Sequence, residues 1–343
     1  MGQTWSGSSA RSLLDALHRR SEIEVDDIAE DSYFPRYSRT SLRILRRAVS
    51  PVLRAELRDV LRQRCLAWQP DVLVVYKGKS VDASLIEWVR SQGIMTVNVF
   101  PDYSPHSYGL GLQEAIGRYD LVVSTKPFHP DLWSSLYGYA NECVFVPHGY
   151  DPRLHLWDSL PTLTQDLDVA IAASWRPQYE SLAVSLGTEL TGRSISVAVA
   201  GPGWAQRAAR LPDGWRFPGS MFGRTYGEFV RRARIVVAPL HQEVVVRGRH
   251  QPGDVDTTRT YELAAAGCFF LHARTEYVQT VYDEGSEVPM WSDVRELAKL
   301  ILSYLPDESS RTSMASMAHT RAVPAYSFDA RVEQLLQHIG SRL

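Results

Sequence analysis

A short apolar run ending abruptly in polar or charged residues, then a helical pattern, recurs along this chain. VLVVY at 72–76 ends in Lys77-Gly78-Lys79. Residues 95–100 end in Pro101-Asp102, 121–124 in Thr125-Lys126, and 144–146 in Pro147-His148. Residues 169–172, 195–200 and 235–240 repeat the pattern in the second half, with Ser174-Trp175-Arg176 closing the first of these. Continuous apolar runs of this length suit strands covered on both faces, and the helical segments between them supply the covering layers. The alternation predicts α/β architecture with parallel sheets. Ligands of such sheets bind outside the carboxyl ends of the strands. Lys77, Asp102, Lys126 and His148 all fall at such ends, although each alone fits a cap or loop residue equally well.

The stretch at 253–270, GDVDTTRTYELAAAGCFF, is the most informative in the second half. A polar loop leads into a short helix carrying Arg259 and Glu262, Gly267 suits the left-handed residue that ends helices, and an apolar strand follows. Two readings fit. In one, Asp256 or Thr257 caps the first turn, free N–H groups and Arg259 favour an anion, and Glu262 accepts hydrogen bonds from a diol such as a ribose. In the other, Asp256 caps, Arg259 and Glu262 form an i,i+3 ion pair, and the alanines only pack.

At 343 residues the chain predicts two domains of about 150 residues each. A formal net charge of −2 gives no basis for bulk attraction to nucleic acid or membrane. Cys65, Cys143 and Cys268 are far apart without metal-ligand spacing, so a reduced, cytoplasmic setting is expected. No apolar run approaches the ~20 residues of a membrane span, and MGQTWSGSSARS lacks the apolar core of a signal peptide. Lys77, Lys79, Lys126 and Lys299 are the only lysines among 37 basic residues, which marks them as candidates for chemistry of their own.

The first glycine turn, at 2–8, precedes an amphipathic helix expected at 9–20. Such a turn normally follows a strand, so either the first strand is very short or the chain begins downstream of its natural start. Residues 23–28 alternate weakly, as a strand would. Residues 39–64 keep a helical period, with Pro51 expected to break or restart it. Arg39, Arg43, Arg46, Arg47, Arg54, Arg58 and Arg62 fall largely on its other side, as a solvated face or a basic surface for an anionic acceptor or lipid headgroup. Residues 152–166 are expected as a linker, and 241–253 as a long loop. The GPG at 201–203 is a weak phosphate signal. Asp254-Val255-Asp256 has the form of a metal-holding acid pair, but its place beside a helix start favours capping. His241 and His250 lack a third ligand at usable spacing, a Ser-His-Asp or Cys-His set cannot be argued from order alone, and GxGxxG is absent.

Several segments together resemble a known group. They are PDVLVVYKGKS, VNVFPDYSPHSYG, YDLVVSTKPF and FVPHGYDPRLH in the first half, and GDVDTTRTYELAAAGCFFLH, EGSEVPMWSDVRELAKLI and AYSFDARVEQLL in the second. The chain resembles the CgeB-like (spore maturation) branch of the group 1, or family 4, glycosyltransferases. The resemblance implies an α/β fold of GT-B type, two facing Rossmann-like domains with parallel sheets. Its domains would be an acceptor-side domain at 1–151, a linker at 152–166, a nucleotide-sugar-binding domain at 167–325 and a closing helix at 326–343.

By the same resemblance, Glu262 matches the acid used on the nucleotide ribose. Asp254, eight residues earlier, stands where the family's E-x7-E pattern has its other acid. Arg176 matches a diphosphate-binding arginine. The lysine that usually follows is missing, so either Arg259 or the Thr257-Thr258 end is expected to share its role. Gly7 matches a glycine turn near the acceptor, with Lys77 and Lys126 on the same side. Asp102 and His148 would line the interdomain side of the first domain and, with Arg176, are the catalytic candidates. No cofactor and no catalytic metal are implied. The donor would be a nucleoside-diphosphate sugar, and the acceptor a glycan, an envelope precursor or a small molecule. No nucleic-acid partner is expected, and peripheral membrane contact stays open. Two other readings fit the same fold. A nucleotide-sugar epimerase would act without acceptor, and a non-catalytic sugar-nucleotide-binding protein would turn over no donor.

Overall fold

A computed structural model describes residues 1–34, 40–156, 158 and 163–343, with the backbone alone for 40–48. In chain order the elements are α1 (Ser9–His18), α2 (Glu30–Tyr33), α3 (Thr40–Trp68), β1 (Val72–Tyr76), α4 (Ala83–Ser91), β2 (Met95–Phe100), α5 (Leu110–Ile116), β3 (Leu121–Ser124), α6 (His129–Tyr137), β4 (Glu142–Phe145) and α7 (Pro152–His155). The second half continues with β5 (Leu167–Ala172), α8 (Pro177–Glu189), β6 (Val197–Ala200), α9 (Gly223–Arg231), β7 (Ala233–Ala238), β8 (Glu243–Val246), β9 (Arg249–Pro252), α10 (Thr258–Ala265), β10 (Phe270–Ala273), α11 (Glu276–Val281), β11 (Met290–Trp291), α12 (Val294–Tyr304), α13 (Glu308–Ala322) and α14 (Phe328–Gly340).

The chain divides into two units, Met1–Pro147 with Val244–Gly253 and Arg331–Leu343, and His148–Glu243 with Asp254–Ala330. The segment from His148 to Asp151, assigned to the first domain from sequence, thus falls in the second unit. Tyr150 bridges to Ser327 there, its N–H on the Tyr326 carbonyl at 3.1 Å. Most of the expected closing helix belongs to the first unit.

In the first unit β1 to β4 form a parallel sheet in chain order. The expected first strand is present as two residues. The Met1 amine donates to Val74 O and Tyr76 N–H to Met1 O on one side, while Gly2 bridges to Ala29 on the other. The strand expected at 23–28 does not form, and the bridge lies just beyond it at Ala29. Strand order therefore reverses between Met1–Gly2 and β1, which makes the loops after them the unit's topological switch point. Asp82 starts α4 by accepting from Leu85 N–H at 2.9 Å, and α4 buries Leu85, Ile86 and Val89 against the sheet. Pro51 lies inside one continuous 29-residue helix, α3, rather than ending it. Proline removes one backbone bond, about 3 kcal/mol, and buried Leu57, Leu61 and Cys65 hold the helix beyond it. Arg39, and the side chains of Arg43, Arg46 and Arg47, lie outside the described residues. Of the other arginines on that helix, Arg62 stacks over Trp88 at 5.2 Å and Arg58 approaches Asp82 at 4.0 Å.

The second unit carries a five-stranded parallel sheet ordered β11-β10-β7-β5-β6, with Arg216 bridging to Ala198 outside β6. Taken in chain order this is the doubly wound Rossmann arrangement, with its reversal between β5 and β7. Alternation along the strands covers both faces. Val169, Ile171, Ile235 and Val237 pack with Tyr179, Leu186, Leu297 and Ile301. Ala170, Ala172, Val236 and Ala238 pack with Val230, Leu263 and Ala264 on the other side. Each large side chain so buried contributes about 1.5–3 kcal/mol. The alanines let α10 approach the sheet closely. Asp293 and Asp307 cap α12 and α13 through the N–H groups of Glu296 and Ser310.

Two expectations are corrected. The linker begins with the helix α7, and residues 157 and 159–162 of it lie outside the described residues. The loop expected at 241–253 is a β-hairpin, β8-β9, turning at Arg247-Gly248. Both turn residues have positive φ, 54° and 75°, as a two-residue hairpin with the twist of its strands requires. Among the described residues no helix is long and apolar enough to cross a membrane.

Candidate active site

The carboxyl ends of β5 and β7 meet at the switch point of the second unit. After β5 the chain runs through exposed Ser174 to Arg176, the N-cap residue of α8. Gly201, after β6, is pressed against this turn. A Cβ there would lie 2.1 Å from the Ala173 carbonyl oxygen, and its φ of 143° disfavours any side chain. Trp175 N–H donates to Pro202 O at 2.7 Å, so the GPG turn supports the β5 loop. After β7 the Pro239 carbonyl accepts from Arg259 Nη2 at 3.0 Å and from the Tyr179 hydroxyl at 3.4 Å. Burial raises the Tyr179 phenol pKa, and the Arg259 and Arg176 charges partly offset that while Asp254 adds to it. His241, two residues past Pro239, is lowered by burial and then by Arg176, with Asp254 opposing. The charges of Arg176 and Asp254 thus reach both Tyr179 and His241, and that of Arg259 reaches Tyr179. Asp254 is fixed by its N–H on the His241 carbonyl at 2.8 Å.

Thr257 is the N-cap of α10 and Thr258 its first residue. Asp256 does not cap. It is fully buried and accepts from the Tyr261 hydroxyl at 2.7 Å. The helix start is closed by Thr257 N–H on Thr260 Oγ1 at 3.1 Å. That leaves the Thr257 hydroxyl and Arg259 Nε buried with no hydrogen-bond partner. Unmade bonds of this kind each cost about 1–3 kcal/mol. They sit where the N–H groups and the positive end of the helix dipole favour an anion.

The i,i+3 pair of Arg259 with Glu262 does not form, because Arg259 turns back to Pro239. Glu262 instead faces His155 of α7, Nε2 to Oε1 at 3.8 Å, with 14% of its side chain exposed. His155 Nδ1 accepts from Asp151 N–H at 3.0 Å, so its proton sits on Nε2, the nitrogen nearer Glu262. Tyr226 crosses the His155 ring edge-on at 5.9 Å. Burial, and then the Glu262 charge, raise its phenol pKa well above the usual value. Glu262 is therefore steadied from one side with its carboxylate accessible. Tyr179, His155 and Tyr226 were not expected from sequence. Only the position of Tyr179 on α8, three residues past Arg176, offered a signal.

In the first unit Lys77 follows β1 at that unit's switch point. Its Nζ lies 2.6 Å from Asp102 Oδ2, and Tyr108 lies beneath it at 4.7 Å. Gly7, with φ 88°, lies in the turn between Met1–Gly2 and α1. Lys126 is fully buried, its N–H on Ser124 Oγ at 3.0 Å, so its ammonium is not at the surface where an acceptor was expected. Beside it His129 accepts from Ser124 at 2.5 Å, donates to Tyr103 O at 3.0 Å, and is pushed down to about 4 by burial, as a neutral packing residue. His148 is buried in the second unit while Asp102 belongs to the first. Among the described residues no group of three His, Cys, Asp or Glu side chains could hold a metal.

Residues 181–337, which include α10 and the sheet around it, match the family described as Glycosyl transferase-like. No curated protein matches the sequence significantly. Among solved structures, HepE (Alr3699) of Anabaena with UDP and glucose is 13% identical, covers 100% of this chain and 99% of its own, and gives a TM-score of 0.67. Sucrose-phosphate synthase of Thermosynechococcus elongatus is 13% identical over 86% of this chain and 79% of its own, TM-score 0.62. A glycosyltransferase of Rickettsia africae is 11% identical over 85% and 82%, TM-score 0.61. At such identities the likeness carries the fold. Residues 181–337 are thus similar to a glycosyl transferase-like family, in a chain with the α/β GT-B fold.

Proposed function

We propose that this chain is a glycosyltransferase that moves a sugar from a nucleoside-diphosphate sugar to a hydroxyl acceptor without a catalytic metal. The observation that carries this is the start of α10. A helix N-terminus at a Rossmann switch point holds a buried threonine hydroxyl and a buried guanidinium nitrogen without partners, within a segment of glycosyl transferase-like sequence. The diphosphate lies there, between Arg176 and the Thr257-Thr258-Arg259 turn, and Glu262 accepts from the ribose hydroxyls. UDP is the favoured nucleotide, because the Anabaena structure of the same fold is a complex with UDP and glucose. CgeB-like ancestry rests on the sequence segments, and a cytoplasmic setting on the three separated cysteines.

As the glycosidic bond breaks, negative charge gathers on the leaving diphosphate. Arg176, Arg259 and the α10 N–H groups stabilise it in place, at no cost of reorganisation. The leaving phosphate takes the acceptor proton. In the first unit Asp102, held by Lys77, serves the acceptor. Asp254, one methylene shorter than the family acid, contacts the donor sugar. The test is release of free nucleotide from a panel of nucleotide sugars given a pooled glycan and lipid extract. Acceptor-dependent release supports transfer, isomerisation without acceptor would point to an epimerase, and no turnover with any pair contradicts the proposal.

A further inference from the structure

Two of the four lysines in this chain meet on one tyrosine. Lys77 Nζ lies 4.7 Å and Lys79 Nζ 4.5 Å from the centre of the Tyr108 ring. Both lie in the loop after β1, at the switch point of the first unit, where a ligand of such a sheet binds. The hairpin brings a third cation. Arg247 donates to Gln113 Oε1, and Gln113 in turn donates to the Tyr108 carbonyl. The Arg247 charge also acts on His106, two residues before Tyr108.

The backbone supplies an independent argument. Among the described residues only Gln69, Lys77 and Arg247 adopt positive φ without being glycine. Lys77 is at 65° and Arg247 at 54°, positions that glycine or asparagine fills at less cost. Long cations in places that disfavour them are explained by what their side chains do. Lys79 and Arg247 are exposed, and Lys77 retains 25% of its side-chain exposure beside Asp102.

We propose that Lys77 and Lys79 on the Tyr108 ring, with Arg247 tied to the Tyr108 backbone through Gln113, form an acceptor subsite for a phosphate-bearing molecule. This rests on the transferase reading above and names the chemical class of its acceptor. Lysine ammoniums act as point charges for phosphate, and the Arg247 fork can bind two of its oxygens. Tyr108 holds both ammoniums in place through its ring, at 4.7 and 4.5 Å from the centre.

Having four lysines makes residue-resolved footprinting direct. The full chain is acylated with a lysine reagent, and the rate at each lysine is read by mass spectrometry. The probes are inorganic pyrophosphate and, separately, phosphatidylcholine vesicles with and without phosphatidic acid. Pyrophosphate is expected to slow Lys77 and Lys79 about tenfold, the equivalent of one charge-assisted contact, and to leave Lys299 unchanged. Protection by phosphatidic acid vesicles alone assigns the phosphate to a lipid headgroup. Unchanged rates at Lys77 and Lys79 with both probes overturn the proposal. Arg247→Asn, which suits the turn, should weaken protection without altering UDP binding. Protection in a chain that binds no UDP would sink the transferase reading and leave the subsite standing, and UDP binding without protection would do the reverse.

Discussion

Arg176 and Glu262 divide the proposed donor between them. Arg176 caps α8 through its backbone, and its charge lowers the pKa values of Tyr179 and His241. A diphosphate would bring the matching charge to that arginine. We expect Arg176→Ala to weaken UDP about tenfold, the cost of one charge-assisted hydrogen bond, while uridine binds as before. Calorimetric titration with the two ligands checks this, and equal loss for both would indicate a damaged fold. Glu262 was legible in the sequence as part of a short helix before Gly267, whose φ of 66° ends that helix as expected. His155 was not legible. It lies more than one hundred residues earlier, in a segment that reads as linker, and only the packing of α7 beside α10 brings it to the glutamate.

At the scale of elements, the parallel strands were readable because their apolar runs need no partner to announce them, and α10 because its cap, arginine and terminal glycine are local signals. Asp256 was misplaced as a cap because a caps-and-turns reading cannot see Tyr261 capture its carboxylate. The hairpin was missed because VVVRGRHQ alternates only briefly, and Arg-Gly is a weaker turn signal than Asn-Gly. The start of α10 yields a prediction that separates structure from binding. The Thr257 hydroxyl makes no bond within the protein. Thr257→Val keeps the shape and removes only that hydroxyl. It should raise chemical-denaturation stability, by up to about 1–3 kcal/mol as the unmade bond is relieved, and weaken pyrophosphate and UDP several-fold. A large stability loss with unchanged binding would make the threonine a plain cap.

Across the whole molecule, among the described residues, each unit has a fully buried neutral histidine. His129 in the first and His272 in the second are both pushed down to about 4, chiefly by burial. His272 lies between Thr260 Oγ1 at 2.8 Å and the Ala273 carbonyl at 2.8 Å. In the unfolded chain such a group titrates near 6.5, so between about 6.5 and 4 the unfolded state binds more protons than the folded one. Stability is complete above about pH 6.5 and falls as pH drops through that window, by on the order of 3 kcal/mol per histidine at its lower end. Urea unfolding at about pH 7 and about pH 5 should show this loss, and it should shrink in His272→Gln. Equal stability at both values would contradict the burial argument. Two Rossmann-like halves were visible as repeated strand-helix alternation, whereas the units exchange segments. The hairpin and most of α14 join the first unit from the second half of the sequence, and His148 joins the second. Linear order carries no record of that exchange.

The central claim is that the second unit binds a nucleoside diphosphate with Glu262 on the ribose. Calorimetric titration of UDP into the wild type and Glu262→Ala tests it most directly. The account predicts saturable binding to the wild type and a loss of one to two orders of magnitude, about 1.4–2.7 kcal/mol, in the variant. Equal affinity in the two proteins, or no binding to the wild type, would contradict it.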